Sequence, residues 1–341
     1  MNRILTPMTI VAVLAALLTG CASGGDESKK LVIAHQDNGL PALIDASGVL
    51  DGTPYKVEWA ILAGPAANLT ALYGKTIDVG HMGDTSLTIE QANANQPWTE
   101  QTAPLKIVAG WRNDFDPKYT PLVTAVRTSA GIDSLAGLRG RSWGYNFGGY
   151  NHAQYLVSLA RAGLTESDIK PVKFNDGNAA AAAFNSGQVD VFSGSHAAIL
   201  SSLTSGDAKI LLSDRDTKIP ALGVWTARTD VLADPDKDAA LRDFFGRLSR
   251  FWEWYADNPD TVKQTLKSTL KLDDARTEFE YHVRSGSFRK LDDALVAEEQ
   301  AVADELYRSG VVKKQVDVTV EYDPRYNDVQ KAQGPQAPTV K

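Results

Sequence analysis

Apolar, β-branched runs alternate with amphipathic runs along most of this chain, and that alternation leaves few folds open. "KLVIAH" (30–35) reads as a strand, and "NGLPALIDASGVL" as a helix with Pro41 in its first turn and Gly48 at its stop. "YKVEWAIL" (55–62) alternates as a strand does. "GPAANLTALYG" is a helix between Pro65 and Gly74, and "TIDVGHMG" is a strand leading into a helix capped by Asp84. "LKIVAGW" (105–111) and "TPLVTAVRT" (120–128) are strands. A second unit of the same grammar follows, from "SLAGLRG" and "RSWGYNF" to "AKILLSD" and the strand "ALGVWTART" (221–229). The expected class is α/β, with mainly parallel sheets covered by helices. From about residue 236 the chain turns helical. "DAALRDFFGRLSRFWEWYADN" places apolar residues at 241, 244, 245, 248, 251, 252 and 255, an aromatic stripe of the kind that packs a core. Further amphipathic helices follow, and 321–341 reads as a polar, Pro-containing tail.

The N-terminus has a separate logic. "MNRILTPMTIVAVLAALLTGC" sets Arg3 before an apolar run, Ile10 to Leu18, that is too short to span a bilayer. Leu18-Thr19-Gly20-Cys21 looks like a bacterial lipobox, in which Cys21 becomes the first residue and carries the lipid. Residues 1–20 are then a signal peptide and 21–29 a Gly/Ser-rich tether. The expected location is the extracytoplasmic face of a bacterial cell membrane, lipid-anchored through Cys21. Cys21 is the chain's single cysteine, so no intrachain disulfide is available.

A net charge of −7 argues against a general nucleic-acid surface, though not against a local pocket for a small anion. The five histidines are scattered, with no metal-ligand spacing, and no phosphate-binding Gly-rich motif follows a strand. Neither metal nor cofactor is expected. In open α/β sheets ligands sit where strands end and helices begin. Five loops fall there: "HQDNGLP" (35–41), "AGPA" (63–66), "HMGDTS" (81–86), "NFGGYNH" (146–152) and "SGSH" (193–196). Helix N-termini facing one cleft would offer N–H groups to an anion. Taken singly, each loop is also ordinary turn and cap chemistry.

"HQDNGLPALIDASGVLDG…YKVEWAILAGPAANLTALYGKTIDVGHMGDTSLTIEQAN" resembles the start of the solute-binding proteins for aliphatic sulfonates, taurine and nitrate that serve ABC importers. "DSLAGLRGRSWGYNFGGYNHAQYLVSLARAGLTESDIKPV" and "AAAAFNSGQVDVF" continue the match, which covers roughly 30–310. The resemblance implies a two-lobed periplasmic-binding-protein-like fold (type II) with the ligand in the interlobe cleft. Lobe 1 would be 30–125 plus 222–320, and lobe 2 would be 126–221. It implies no enzyme, but a lipoprotein receptor that closes by a hinge on a sulfonate, aliphatic or aromatic, and delivers it to permease subunits. Gln36, Asn38 and Leu40 match the first loop; Gly83, Asp84, Thr85 and Ser86 match the next. Gly149, Tyr150, Asn151 and His152 stand where relatives hold an oxyanion on N–H and hydroxyl groups. Ser195 and His196 replace a family "W.DP" element. Trp111, Trp143, Tyr145, Tyr150 and Trp225 add aromatic surface near the cleft, which suits a larger or aromatic tail, Arg112 is a charge partner for an anion, and His152 and His196 are hydrogen-bond donors to the ligand. Trp143 and Trp225 read equally as core residues.

The departures fall at the ligand, which keeps nitrate and a flat thiamine-precursor pyrimidine as alternatives. The resemblance also reaches two enzymes, a desulfinase and a thiamine-pyrimidine synthase. Both need cysteines that this chain lacks outside the lipobox.

Overall fold

In the computed structural model, which describes residues 30–113, 117–310 and 312–331, the chain first builds parallel strand–helix–strand units. The signal peptide, Cys21 and the tether lie outside the described residues. β1 (Lys30–His35), α1 (Gly39–Ser47), β2 (Lys56–Ile61), α2 (Pro65–Tyr73), β3 (Val79–Gly83), α3 (Thr85–Asn93) and β4 (Leu105–Asn113) follow in order. Local chemistry sets their ends. Gly48 stops α1 at φ 64°, a left-handed conformation that a Cβ would strain. Pro65 opens α2, and the Asp84 carboxylate accepts the N–H of Thr85 at the head of α3.

The chain then crosses to β5 (Leu122–Arg127), β6 (Ser142–Asn146), α4 (Gly149–Arg161), β7 (Lys170–Phe174), α5 (Gly177–Asn185), β8 (Val191–Ser195), α6 (Leu200–Thr204), β9 (Ala208–Ser213) and α7 (Asp214–Thr217). It returns through β10 (Gly223–Arg228) to α8 (Thr229–Leu232), α9 (Pro235–Asp257), α10 (Pro259–Leu270), α11 (Asp274–Arg284), β11 (Gly286–Arg289) and α12 (Asp293–Arg308).

Two sheets result, ordered β11-β4-β10-β3-β1-β2 and β7-β6-β8-β5-β9. Neither is all parallel. β10 runs antiparallel between β3 and β4, and β5 antiparallel between β8 and β9. These are the strands that enter each sheet from the other, which is why they run against their neighbours. β5 lies wholly in the second sheet, so the boundary expected after residue 125 falls before Leu122. Short β11, pairing Phe288 with Trp111, has no clear sequence signal.

The aromatic stripe of α9 packs as expected except at Trp252, which is only half-buried. Phe244 and Phe245 meet Trp225 edge-on at 5.8 and 6.3 Å, and Phe251 is fully buried. The polar tail is corrected over 321–331. Tyr326 is buried with its hydroxyl donating to Asp238 at 2.7 Å, and the Gln330 amide donates to the carbonyl of Val108 at 2.8 Å. The tyrosine hydroxyl and the glutamine amide nitrogen are paired there, so Tyr322, Tyr326 and Gln330 dock this stretch onto the core. Residues 332–341 lie outside the described residues. α12 joins the two layers: Leu295 and Ala303 pack with the first sheet, Val302 and Leu306 with the second. Among the described residues no helix is long and apolar enough to cross a membrane.

Candidate functional site

A cleft of about 370 Å³ opens between the two sheets. Its floor follows from strand pairing. β1, β3 and β10 are adjacent, and register sets Trp225 opposite His81, beside His35 at the end of β1. The imidazoles of His35 and His81 stack at 4.7 Å, and Trp225 meets His81 edge-on at 4.8 Å. Burial lowers the pKa of both histidines, and His35 lowers that of His81 further, so the pair is neutral. Gly223 makes room for it: a Cβ there would sit 2.9 Å from His81 Nε2. Trp111 and Trp252, stacked at 5.1 Å, form a wall with Tyr255, Leu270 and Leu272. From the second sheet come Tyr150, Asn151, Asp176, Gly177 and Ser195.

One charged cluster faces this aromatic lining. Arg284 Nη2 reaches Asp37 Oδ2 at 2.7 Å and its Nε reaches Glu280 Oε2 at 2.9 Å; Arg276 Nη2 meets Glu280 Oε1 at 2.7 Å. Asp37 also accepts the N–H of Gly39 at 2.7 Å. Burial pushes the Asp37 and Glu280 carboxyls up, but Arg284 and their other partners outweigh it and hold both below the usual range. Two arginines thus meet two carboxylates, and the cluster is neutral as a whole.

Of the residues singled out from sequence, Gln36, Leu40, Trp111, Tyr150, Asn151 and Ser195 line the cleft. Gln36 donates to the carbonyl of His81 at 3.3 Å, and Asn151 to Asn146 at 2.7 Å. Asn38 is exposed ahead of α1 and off the cleft. His152 is buried and stacks on Tyr145 at 5.1 Å; burial lowers its pKa to about 3. His196 Nδ1 is bonded to the carbonyl of Thr120 at 3.1 Å, and its ring abuts Phe279 at 4.5 Å. Neither histidine lines the cleft, so their expected donation to a ligand gives way to packing roles. Arg112 also misses it. Side chains alternate along a strand, so with Trp111 facing the cleft, Arg112 on β4 turns to Glu298 at 3.7 Å.

Gly83, Asp84, Thr85, Ser86 and Gly149 lie behind the cleft. The first turn of α4 packs onto the end of β3 and the start of α2, leaving beside Tyr150 a crevice of about 10 Å³, room for one water at most. Asp84 serves the second crossing between the sheets. Its Oδ2 accepts the N–H of Leu222 at 2.7 Å, and a hydrogen bond joins it to the buried Glu299 carboxyl of α12. Burial raises the Asp84 pKa to about 6 and, with the Asp84 and Glu321 charges, raises that of Glu299 further. Acids raised by folding stabilise below their unfolded pKa, about 4, and lose that contribution as pH rises through the folded values. Glu299→Gln keeps a donor for Asp84 without the charge. It is expected to raise the Tm near pH 8 and leave it almost unchanged near pH 4, read from melting curves across pH.

The sequence reading missed Asp37, Arg276, Glu280 and Arg284, and it took Trp252 and Tyr255 for core-packing residues although both line the cleft. A signal existed: 276, 280 and 284 recur every four residues in "RTEFEYHVR", which sets them on one helix face.

Residues 100–262, just under half of the chain, match the family model described as NMT1/THI5 like. Among solved structures, the alkanesulfonate-binding protein SsuA of Xanthomonas axonopodis pv. citri, bound to MOPS, is 22% identical with a TM-score of 0.72, over 86% of this chain and 98% of that one. The periplasmic aliphatic sulphonate binding protein SsuA of Escherichia coli is 20% identical with a TM-score of 0.69, over 92% and 96%. Residues 100–262 are thus similar to that family, and the chain shares the fold of these periplasmic binding proteins. The desulfurization enzyme DSZB is 13% identical with a TM-score of 0.58, over 89% and 99%. No curated protein matches the chain.

Proposed function

We propose that this protein is the solute-binding component of an ABC importer, held by a lipid on Cys21 at the outer face of a bacterial cell membrane. One lobe is built on each sheet; the two close on a small organic solute and present it to the permease subunits. The observation that carries the reading is the aromatic-walled cleft between the sheets, since such pockets bind most small ligands through apolar walls and a few placed polar groups. A sulfonate carried on an apolar or ring body is the ligand class proposed. Supporting it are the likeness to two sulfonate-binding proteins, one of them holding the ring sulfonate MOPS, and the two arginines at the cleft.

A second reading rests on a specific observation. Arg276 and Arg284 are already matched by Glu280 and Asp37, and the stacked histidines are neutral. A flat neutral ring such as a thiamine-precursor pyrimidine would stack on these walls without disturbing that balance. Catalysis is not part of the proposal: the chain's single cysteine is Cys21, in the lipobox, so among the described residues no cysteine is available as nucleophile for a desulfination.

Calorimetric titration with taurine, longer alkanesulfonates, MOPS, biphenyl-2-sulfinate, nitrate and hydroxymethyl-pyrimidine tests the reading. Saturable binding of a sulfonate without turnover supports it. Binding of the pyrimidine alone transfers the receptor to the second reading, and turnover of the sulfinate overturns the receptor reading.

A further inference from the structure

We infer that Gly83 sets how far the two sheets close on the cleft. Gly83 ends β3 and pairs with Gly223 inside the first sheet. A Cβ at this position would sit 2.8 Å from Tyr150 Cγ and closer still to Tyr150 Cδ1 and its backbone nitrogen. All three nearest atoms belong to Tyr150, in the first turn of α4 on the other side of the cleft. The missing side chain therefore serves contact between the sheets rather than packing within its own. Tyr150 is also a cleft residue, so the approach that Gly83 permits is what carries the ring to the ligand space.

The same seam runs on through other glycines. A Cβ on Gly64 would meet the carbonyl of Asn175 at 2.8 Å, and one on Gly149 would meet Pro65 Cγ at 2.9 Å. Those two, with Gly148, have φ between 66 and 82°, where any side chain is strained whatever it touches. Gly83 is not in that region, so alanine there tests the approach alone.

The inference rests on the receptor reading only in taking the sheets to separate, and its readouts use no ligand. Gly83→Ala and the control Gly110→Ala would be compared with wild type by melting temperature, by hydrogen exchange of residues 148–152, and by radius of gyration from small-angle scattering. A Cβ on Gly110 meets Leu222 and Leu291 at an ordinary 3.5 Å. The expected result for Gly83→Ala is cooperative melting close to wild type, exchange in the first turn of α4 faster by about tenfold or more, and a larger radius, with Gly110→Ala unchanged in all three. Unchanged exchange in Gly83→Ala would overturn the inference. So would loss of protection throughout the first sheet, which would make Gly83 a core residue, or free exchange of this turn in the wild type.

Discussion

Arg284→Met is expected to destabilise the protein by about 3 kcal/mol, the low end for breaking a buried ion pair, because Asp37 is one-third exposed. The cost arises in what is left behind. Glu280 is nearly inaccessible, and without Arg284 it faces Asp37 with only Arg276 to offset its charge. The pH dependence follows from the direction of the shifts. Asp37 and Glu280 are held below the ordinary carboxylate range when folded, so their contribution is present above about pH 4 and is lost as pH falls. Urea midpoints taken from about pH 7 down to about pH 3 should fall steeply in the wild type and more gently in Arg284→Met. Adding Glu280→Gln should recover part of the loss. Parallel slopes in the two proteins would show that the cluster does not act as a charge network.

Trp225→Ala is the second large effect, about 3–5 kcal/mol, with loss of ligand binding alongside. Trp225 is 1% exposed and meets His81, Phe244 and Phe245 through its ring faces and edges. It joins the aromatic core under β10 to the floor of the cleft, so removing it opens a cavity and leaves the His35–His81 stack without its edge contact. Trp225→Phe should cost less and retain weakened binding. Urea unfolding and calorimetry on the two variants separate floor from core; an alanine variant that binds like wild type would remove Trp225 from the site.

Local punctuation was the readable part of this fold. Gly48, Pro65 and Asp84 end or begin helices through interactions within a few residues, and such interactions show in sequence. The insertion of β10 between β3 and β4 involves strands more than a hundred residues apart, and nothing in "ALGVWTART" marks its direction. The tail illustrates the same limit. Tyr322 and Tyr326 sit among polar residues, and only their docking on the first sheet's layer reveals them as core.

At the site, the loop rule located Gln36, Tyr150, Asn151 and Ser195 because strand ends do converge there. It failed for His152 and His196, each next in sequence to a cleft residue but turned into packing; Arg112, singled out as a charge partner beside Trp111, is turned away by strand alternation. It could not reach α11, whose charges come to the cleft from a helix that reads as an ordinary surface element.

The central claim is that the ligand lies against the aromatic walls between the two sheets. The seven tryptophans give a direct test through their indole N–H signals in a ¹⁵N-labelled sample. On titration with the best binder of the panel, the signals of Trp111, Trp225 and Trp252 are expected to shift to saturation together. That of Trp143, buried in the second sheet's core, should hold nearly still. A saturable ligand that leaves the three cleft indoles unmoved would contradict the account.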